Sequence, residues 1–318
     1  MIVHNGRLTS RQTDPSLEVQ RFVARSERRQ ESRPPYTFGK DIVILEMPTS
    51  EKGGSAFLEQ NHNYPVLEEY ALKCSKSKVL RRAINVDVDD LDKCLMDIMK
   101  VKKIHVQKDP RFKLSLRVCV LQISGYKQLY LCVENLRKQP YDSNNEDHEE
   151  QLTELWNLLM PNQALKSRIT KQWGDIGFQG DDPKTDFRGM GMLGLVNLVY
   201  FSKHYTEESR QILSRSNHPK MGFSYAIVGI NLTEMAYSLL RSDALKSHLY
   251  NLIPGVPQLE HFHQFYCYLM YEFDKFWFQE EPESIMLFNQ YREKFQNRIK
   301  GLLINQNVMF TLRKANSL

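Results

Sequence analysis

Residues 259–277 read LEHFHQFYCYLMYEFDKFW, and Leu259, Phe262, Phe265, Tyr266, Leu269, Phe273 and Trp277 recur there at helical spacing. Steps of three and four residues line one face of an α-helix, whereas a strand would need steps of two. The face is wide and aromatic, so it calls for an equally large apolar surface to pack against. Residues 223–240, FSYAIVGINLTEMAYSLL, offer one. They are apolar on most sides and fit a buried central helix, with Gly229 and Asn231 as packing features inside it. After Pro282 the pattern resumes in Ile285, Phe288, Phe295, Ile299 and Leu302.

Upstream the same period holds. Leu152, Leu155, Trp156 and Leu159 form a stripe that Pro161 stops. Leu114, Val118, Leu121, Leu129 and Val133 mark one or two helices, with Gly125 as a break, and residues 140–145 are a loop. Val88, Leu91, Leu95, Ile98 and Met99 follow Asp87, Asp89 and Asp90, acids that suit the positive end of a helix. No strand-like alternation bounded by hairpin turns occurs, and no repeat of fixed length. The expected fold class is all-α, a multi-helix globular body packed by side-chain ridges and grooves. Residues 1–67 break the pattern. Arg7, Arg11, Arg21, Arg25, Arg28, Arg29 and Arg33 are scattered there among Ser, Thr, Pro and Gln, and the stretch reads as a polar, basic, disordered leader.

Composition bounds the function. The chain has 318 residues, 41% hydrophobic and 25% charged, the balance of a soluble globular protein. Its 43 basic and 38 acidic residues leave a net charge of only +5, too diffuse to imply nucleic acid. No run of apolar residues is long enough to span a bilayer, and the opening MIVHNGRLTS lacks the apolar core of a secretory signal. The five cysteines, Cys74, Cys94, Cys119, Cys132 and Cys267, are odd in number and contain no CxxC pair. They read as reduced, mostly buried thiols rather than a zinc site or a disulfide framework.

One segment departs from the helical pattern. Residues 173–189, WGDIGFQGDDPKTDFRG, carry Gly174, Gly177, Gly180 and Gly189, Pro183, and the acids Asp175, Asp181, Asp182 and Asp186. Such a loop between helices is a candidate functional element. Asp186 suits the N-cap of a helix from about Met190 to Phe201. Arg188 then falls in or beside its first turn, at the unfavourable end of the dipole. Two readings stand. Arg188 pairs with Asp181, Asp182 or Asp186 and holds the loop shut, or its guanidinium fork is presented to an anion.

Other motifs are weaker. Residues 189–194, GMGMLG, match G-x-G-x-x-G, with Glu207 and Glu208 downstream. A dinucleotide site would need a preceding strand, so these glycines read as sites of close helix packing. His261 and His263 point to different sides of a helix and make a poor metal pair. The acids of the loop lack a matching base, nucleophile or phosphate loop. Arg292, Lys294, Arg298 and Lys300 read as a solvated face.

Taken together, WGDIGFQGDDPKTDFRGMGMLGL, SYAIVGINLTEMAYSLL and HFHQFYCYLMYEFDKFW resemble the ELMO domain family, over roughly Ser75 to the C-terminus. The resemblance implies an ELMO-type domain over residues 147–308. N-terminal helices over 68–146 would pack on it, and residues 309–318 would form a tail. It implies a GTPase-activating protein for GTP-bound Arf and Arf-like small GTPases, a regulator rather than an enzyme with its own substrate pocket. In the family motif D-x-x-x-D-F-R-G the arginine is the proposed catalytic finger. Arg188 matches it, with Asp182, Asp186, Gly180, Phe187 and Gly189 as the supporting loop. No cofactor or metal of its own is implied, because GTP and Mg²⁺ travel with the partner GTPase. The implied location is cytoplasmic, with peripheral membrane contact through that partner. The polar leader departs from the apolar, aromatic-rich start that such family members often have. Larger ELMO proteins act with an exchange factor, so a non-catalytic scaffold binding a GTPase or an exchange-factor complex is the alternative.

Overall fold

The computed structural model describes residues 37–38, 42–43, 64–105, 107, 110–251, 255–305 and 308–312. They are helical almost throughout. The departure is a two-residue ladder, β1 (Thr37–Phe38) against β2 (Ile42–Val43), antiparallel with Thr37 opposite Val43 and Phe38 opposite Ile42. Strands of two residues are too short to show a period in sequence. Most of the leader reading falls outside the described residues, and residues 64–67 already belong to a helix.

The chain divides into two compact units, residues 1–124 with 253–256, and residues 125–252 with 257–318. The first contains α1 (Tyr64–Cys74), α2 (Lys78–Ala83), α3 (Leu91–Val101) and the beginning of α4 (Pro110–Lys138). The acids expected ahead of α3 form a 3₁₀ turn, Val88–Asp90, and Leu91, Leu95, Ile98 and Met99 are buried as one face. The segment expected to hold one or two helices is the single helix α4, which runs through Gly125.

The second unit continues with α5 (Glu146–Leu159), α6 (Gly191–His204), α7 (Thr206–Ser216), α8 (Tyr225–Arg241), α9 (Lys246–Asn251), α10 (Leu259–Glu280) and α11 (Phe288–Ile304). Helix α5 starts where Asn145 accepts the Asp147 amide at 3.0 Å, with Glu146, Asp147 and Glu149 at the positive end of its dipole. It ends before Pro161, as expected. Helix α6 is buried along most of its length and packs against α5, α8 and α10. The stripe expected on α10 is buried from Phe262 to Trp277, and each such aromatic contributes about 1.5–3 kcal/mol by leaving water.

Asn197, Thr233 and His263 form a bonded polar cluster in this core. Asn197 donates to Thr233 Oγ1 at 3.0 Å, and its Oδ1 lies 2.7 Å from His263 Nδ1. Gly229 is required where α8 crosses its neighbours, because a Cβ there would lie 2.5 Å from Leu198 Cδ2. The last described residues return to the body, with Phe310 buried against Phe265 and Tyr268. Among the described residues no helix is long and apolar enough to cross a membrane.

Two expectations need correction. Of the cysteines only Cys267 is buried, while Cys74 and Cys132 are exposed, because the latter two lie on the outer faces of their helices. The basic face of α11 is partly engaged. Arg292 donates to Asn231 Oδ1 and Glu234 Oε2, both at 2.9 Å, and Lys294 pairs with Glu280.

Candidate functional site

The segment between α5 and α6 is ordered by two 3₁₀ turns, Lys171–Ile176 and Pro183–Arg188. The first is capped by Thr170, and its Trp173 is fully buried, edge-on to Trp156 at 5.5 Å and to Phe178 at 5.9 Å. Phe178 continues the chain to Phe187 at 5.6 Å, and Phe187 stacks on Tyr141 at 5.3 Å. This aromatic row anchors the loop on the helical body. Gly177 follows the first turn at φ +85°, where a Cβ would sit 2.3 Å from the Tyr225 amide nitrogen. Only glycine lets the loop cross the start of α8. There its carbonyl accepts the Ile227 amide at 3.3 Å, one of the donors a helix N-terminus leaves free.

The second turn carries the motif. Asp182 caps this turn: its Oδ1 accepts the Lys184 amide at 3.0 Å, and Pro183 occupies the first position of the turn. Asp186 instead closes the loop on itself, its Oδ2 accepting the Gln179 amide at 2.8 Å. The helix that Asp186 is expected to cap, α6, has Met190 at its N-cap and no side-chain cap bond. Burial, together with the nearby Asp182 charge, pushes the Asp186 carboxyl up, while the Gln179 amide and Arg188 pull it down. Asp181 is exposed and contributes its backbone carbonyl, which accepts from the Thr170 amide at 2.9 Å.

Arg188 closes this turn and is exposed. Among the described residues it has no hydrogen-bond or ion-pair partner, so the reading in which it bonds to Asp181, Asp182 or Asp186 does not hold. Asp182 is taken by a competitor, and Asp186 by the Gln179 amide. Arg168, outside the motif, takes Asp182 at 3.0 Å and Glu149 at 2.5 Å, with its guanidinium over the Tyr141 ring at 5.8 Å. Sequence reasoning missed Arg168, Glu149 and Tyr141. They lie 14, 33 and 41 positions from Asp182, Phe187 sits behind them, and no local pattern joins them.

The glycines of the GMGMLG run have unlike roles. Gly189 has a helical backbone and open space where a Cβ would stand, as does Gly180 at φ +77° apart from its left-handed backbone. Gly191 adopts φ +53°, and a Cβ there would lie 2.4 Å from the carbonyl oxygens of both Arg137 and Gln139. This close approach lets the Met192 amide donate to Gln139 O at 2.9 Å. Gly194 meets its neighbours at an ordinary 3.5 Å. No strand leads directly into the run. It follows the turn Pro183–Arg188.

His261 is taken up in the cap of α10 with Gln258, and His263 faces the core. Among the described residues no group of His, Cys, Asp and Glu is arranged to hold a metal ion. The site is therefore a loop anchored on the helical body that presents the Arg188 guanidinium to solvent, with the carboxylates of Asp182 and Asp186 already bonded.

Comparison with known proteins agrees with the sequence resemblance. The family model described as ELMO/CED-12 family matches residues 131–292. ELMO domain-containing protein 2 of Bos taurus is 68% identical over 245 residues, spanning 77% of this chain and 84% of the relative. The Homo sapiens protein of the same name gives the same identity and coverage. ELMO domain-containing protein 1 of Mus musculus is 51% identical over 257 residues, 76% of this chain and 79% of the relative. No solved structure gives a significant match. The chain belongs to the ELMO/CED-12 family.

Proposed function

We propose that this ELMO/CED-12 family member stimulates GTP hydrolysis by an Arf-family small GTPase, Arf or Arf-like, with Arg188 supplied in trans as an arginine finger. The observation that carries the reading is the free guanidinium of Arg188 at the end of a pinned turn. An arginine used for structure is satisfied within its own protein, as Arg168 is. An arginine used on a partner keeps its five donors unspent until that partner arrives.

The chemistry asks for little else from this chain. Hydrolysis spreads negative charge over the transferring γ-phosphoryl group and the leaving oxygen. A guanidinium held beside them offsets that charge with two parallel N–H bonds. Fingers of this kind are worth ~10³–10⁵ in rate, about 4–7 kcal/mol of barrier. The nucleotide and its Mg²⁺ belong to the GTPase. This chain contributes a docking surface, a rigid loop and one side chain.

The test is a panel of purified Arf-family GTPases loaded with GTP, mixed with this protein or with Arg188→Ala, and followed by single-turnover phosphate release. Acceleration by the wild-type chain that is lost in the variant supports the proposal. Tight binding to a GTP-loaded partner with no acceleration supports the scaffold reading in its place.

A further inference from the structure

We infer that Arg168 is a positioning residue that fixes the turn bearing Arg188 from both ends, without itself reaching a partner. The inference rests on the proposed role of Arg188 and extends it to a residue outside the motif.

Every nitrogen of the Arg168 guanidinium has a partner. Nε donates to Glu149 Oε2 at 2.5 Å, Nη1 to Asp182 Oδ1 at 3.0 Å, and Nη2 reaches the Tyr141 hydroxyl at 3.5 Å. Its backbone is fixed as well, because the Arg168 carbonyl accepts the indole N–H of buried Trp173 at 2.9 Å. Burial opposes its charge, but Glu149, Tyr141 and Asp182 outweigh that and hold its proton more tightly than usual. These bonds spend three of its five N–H donors inside the protein.

What Arg168 holds is the motif turn. At the start, it bonds the same Asp182 Oδ1 that caps the Lys184 amide, so it sets the oxygen that begins the turn. At the end, it acts through Tyr141. The Tyr141 hydroxyl donates to Glu149 Oε1 at 2.6 Å, and the ring, beneath the guanidinium, stacks on Phe187 at 5.3 Å. Phe187 directly precedes Arg188. The guanidinium is thus the common node between the cap and the aromatic seat of one short turn. Three directional bonds suit arginine, and an ammonium point charge cannot reproduce them. Misplacing a catalytic group by about 1 Å costs ~10²-fold in rate, which sets the scale of what this node protects.

The experiment is a double-mutant cycle on the full chain, comparing Arg168→Ala, Arg168→Lys, Arg188→Ala and the double alanine variant. It reads single-turnover GTP hydrolysis by a responsive Arf-family GTPase over a range of activator concentrations. Amide hydrogen exchange of residues 179–189 is measured on the same proteins without any GTPase. Arg168→Ala is expected to lower the saturating rate ~10–100-fold, more than it raises the half-saturating concentration, with Arg168→Lys in between. In the Arg188→Ala background it is expected to do nothing further, since it acts only through that residue. Exchange at the Gln179 and Lys184 amides is expected to quicken in Arg168→Ala while α8 and α10 stay protected. An equal loss in both backgrounds would make Arg168 an independent catalytic group and overturn the inference. So would unchanged exchange in the loop, or quickened exchange spread over the whole unit. If Arg188→Ala retains full stimulation, the finger reading fails by itself, and the exchange result still decides whether Arg168 holds the turn.

Discussion

Gly189 and Gly191 stand two residues apart, and the structure predicts opposite outcomes for the same substitution. At Gly191 an alanine must accept φ +53°, which costs an L-residue about 1–2 kcal/mol. Its Cβ would also lie 2.4 Å from two carbonyl oxygens, both backbone and unable to rotate away. Relief requires α6 to withdraw from the end of α4, which breaks the bond from the Met192 amide to Gln139 O. A buried donor left without a partner costs about 1–3 kcal/mol, and overpacking a tight site about 1–3 more. The total for Gly191→Ala is therefore roughly 3–8 kcal/mol. At Gly189 the backbone is helical, at φ −80° and ψ −39°, and nothing stands within 4 Å of a Cβ. Gly189→Ala only narrows the unfolded ensemble, a gain of about 0.4–1 kcal/mol. Urea unfolding of both variants followed by far-ultraviolet circular dichroism separates them. For a body of this size about 1 kcal/mol moves the thermal midpoint by roughly 2–4 °C, so Gly191→Ala should melt at least ~7 °C below Gly189→Ala. Coincident unfolding curves for the two variants would refute the argument from backbone geometry.

Arg188→Lys should remove stimulation of GTP hydrolysis by about 10³-fold or more, because an ammonium lacks the planar fork. The same change should move the thermal midpoint by under about 1 °C, since the native side chain makes no internal bond, and differential scanning fluorimetry checks this. Phe187→Ala should cost about 3–5 kcal/mol, for its ring is buried between Tyr141 and Phe178, and denaturant titration measures the loss. Acid should destabilise the fold between pH 7 and 5. Burial, reinforced by His261 and His204 respectively, holds His248 and His263 down to about 4, against an ordinary 6.5. The unfolded chain therefore binds more protons in that window, and stability falls with pH, by at most about 2 kcal/mol per imidazole at pH 5. Burial raises Asp274 to about 6 against the pull of Arg215 and Lys275, so it runs the other way, gaining about 1.4 kcal/mol at pH 5. The net loss should be visible in midpoints taken across pH, and His263→Gln should flatten the slope.

The legibility of this protein in its sequence follows the range of the interactions involved. A helical stripe such as Phe262 to Trp277 repeats within a few residues, so the period alone determined the all-α class and the faces that became buried. The unusual density of Gly, Asp and Pro from Trp173 to Gly189 likewise marked the loop, and its motif marked Arg188 together with the family.

Tertiary structure decided everything that depended on a partner far along the chain. Whether Arg188 was bonded to Asp182 could not be read from the local sequence, because Arg168 takes that carboxylate. That residue bonds across 19 positions to Glu149 and 14 to Asp182, and so takes the Asp182 carboxylate from Arg188. Asp186 looked like the cap of α6 until the position of Gln179 gave it a different amide. The glycines at 189 and 191 are identical in sequence terms, yet only one faces the carbonyls of Arg137 and Gln139. Local periodicity is a property of the chain, but a bond between distant groups exists only once packing has brought them within about 3 Å.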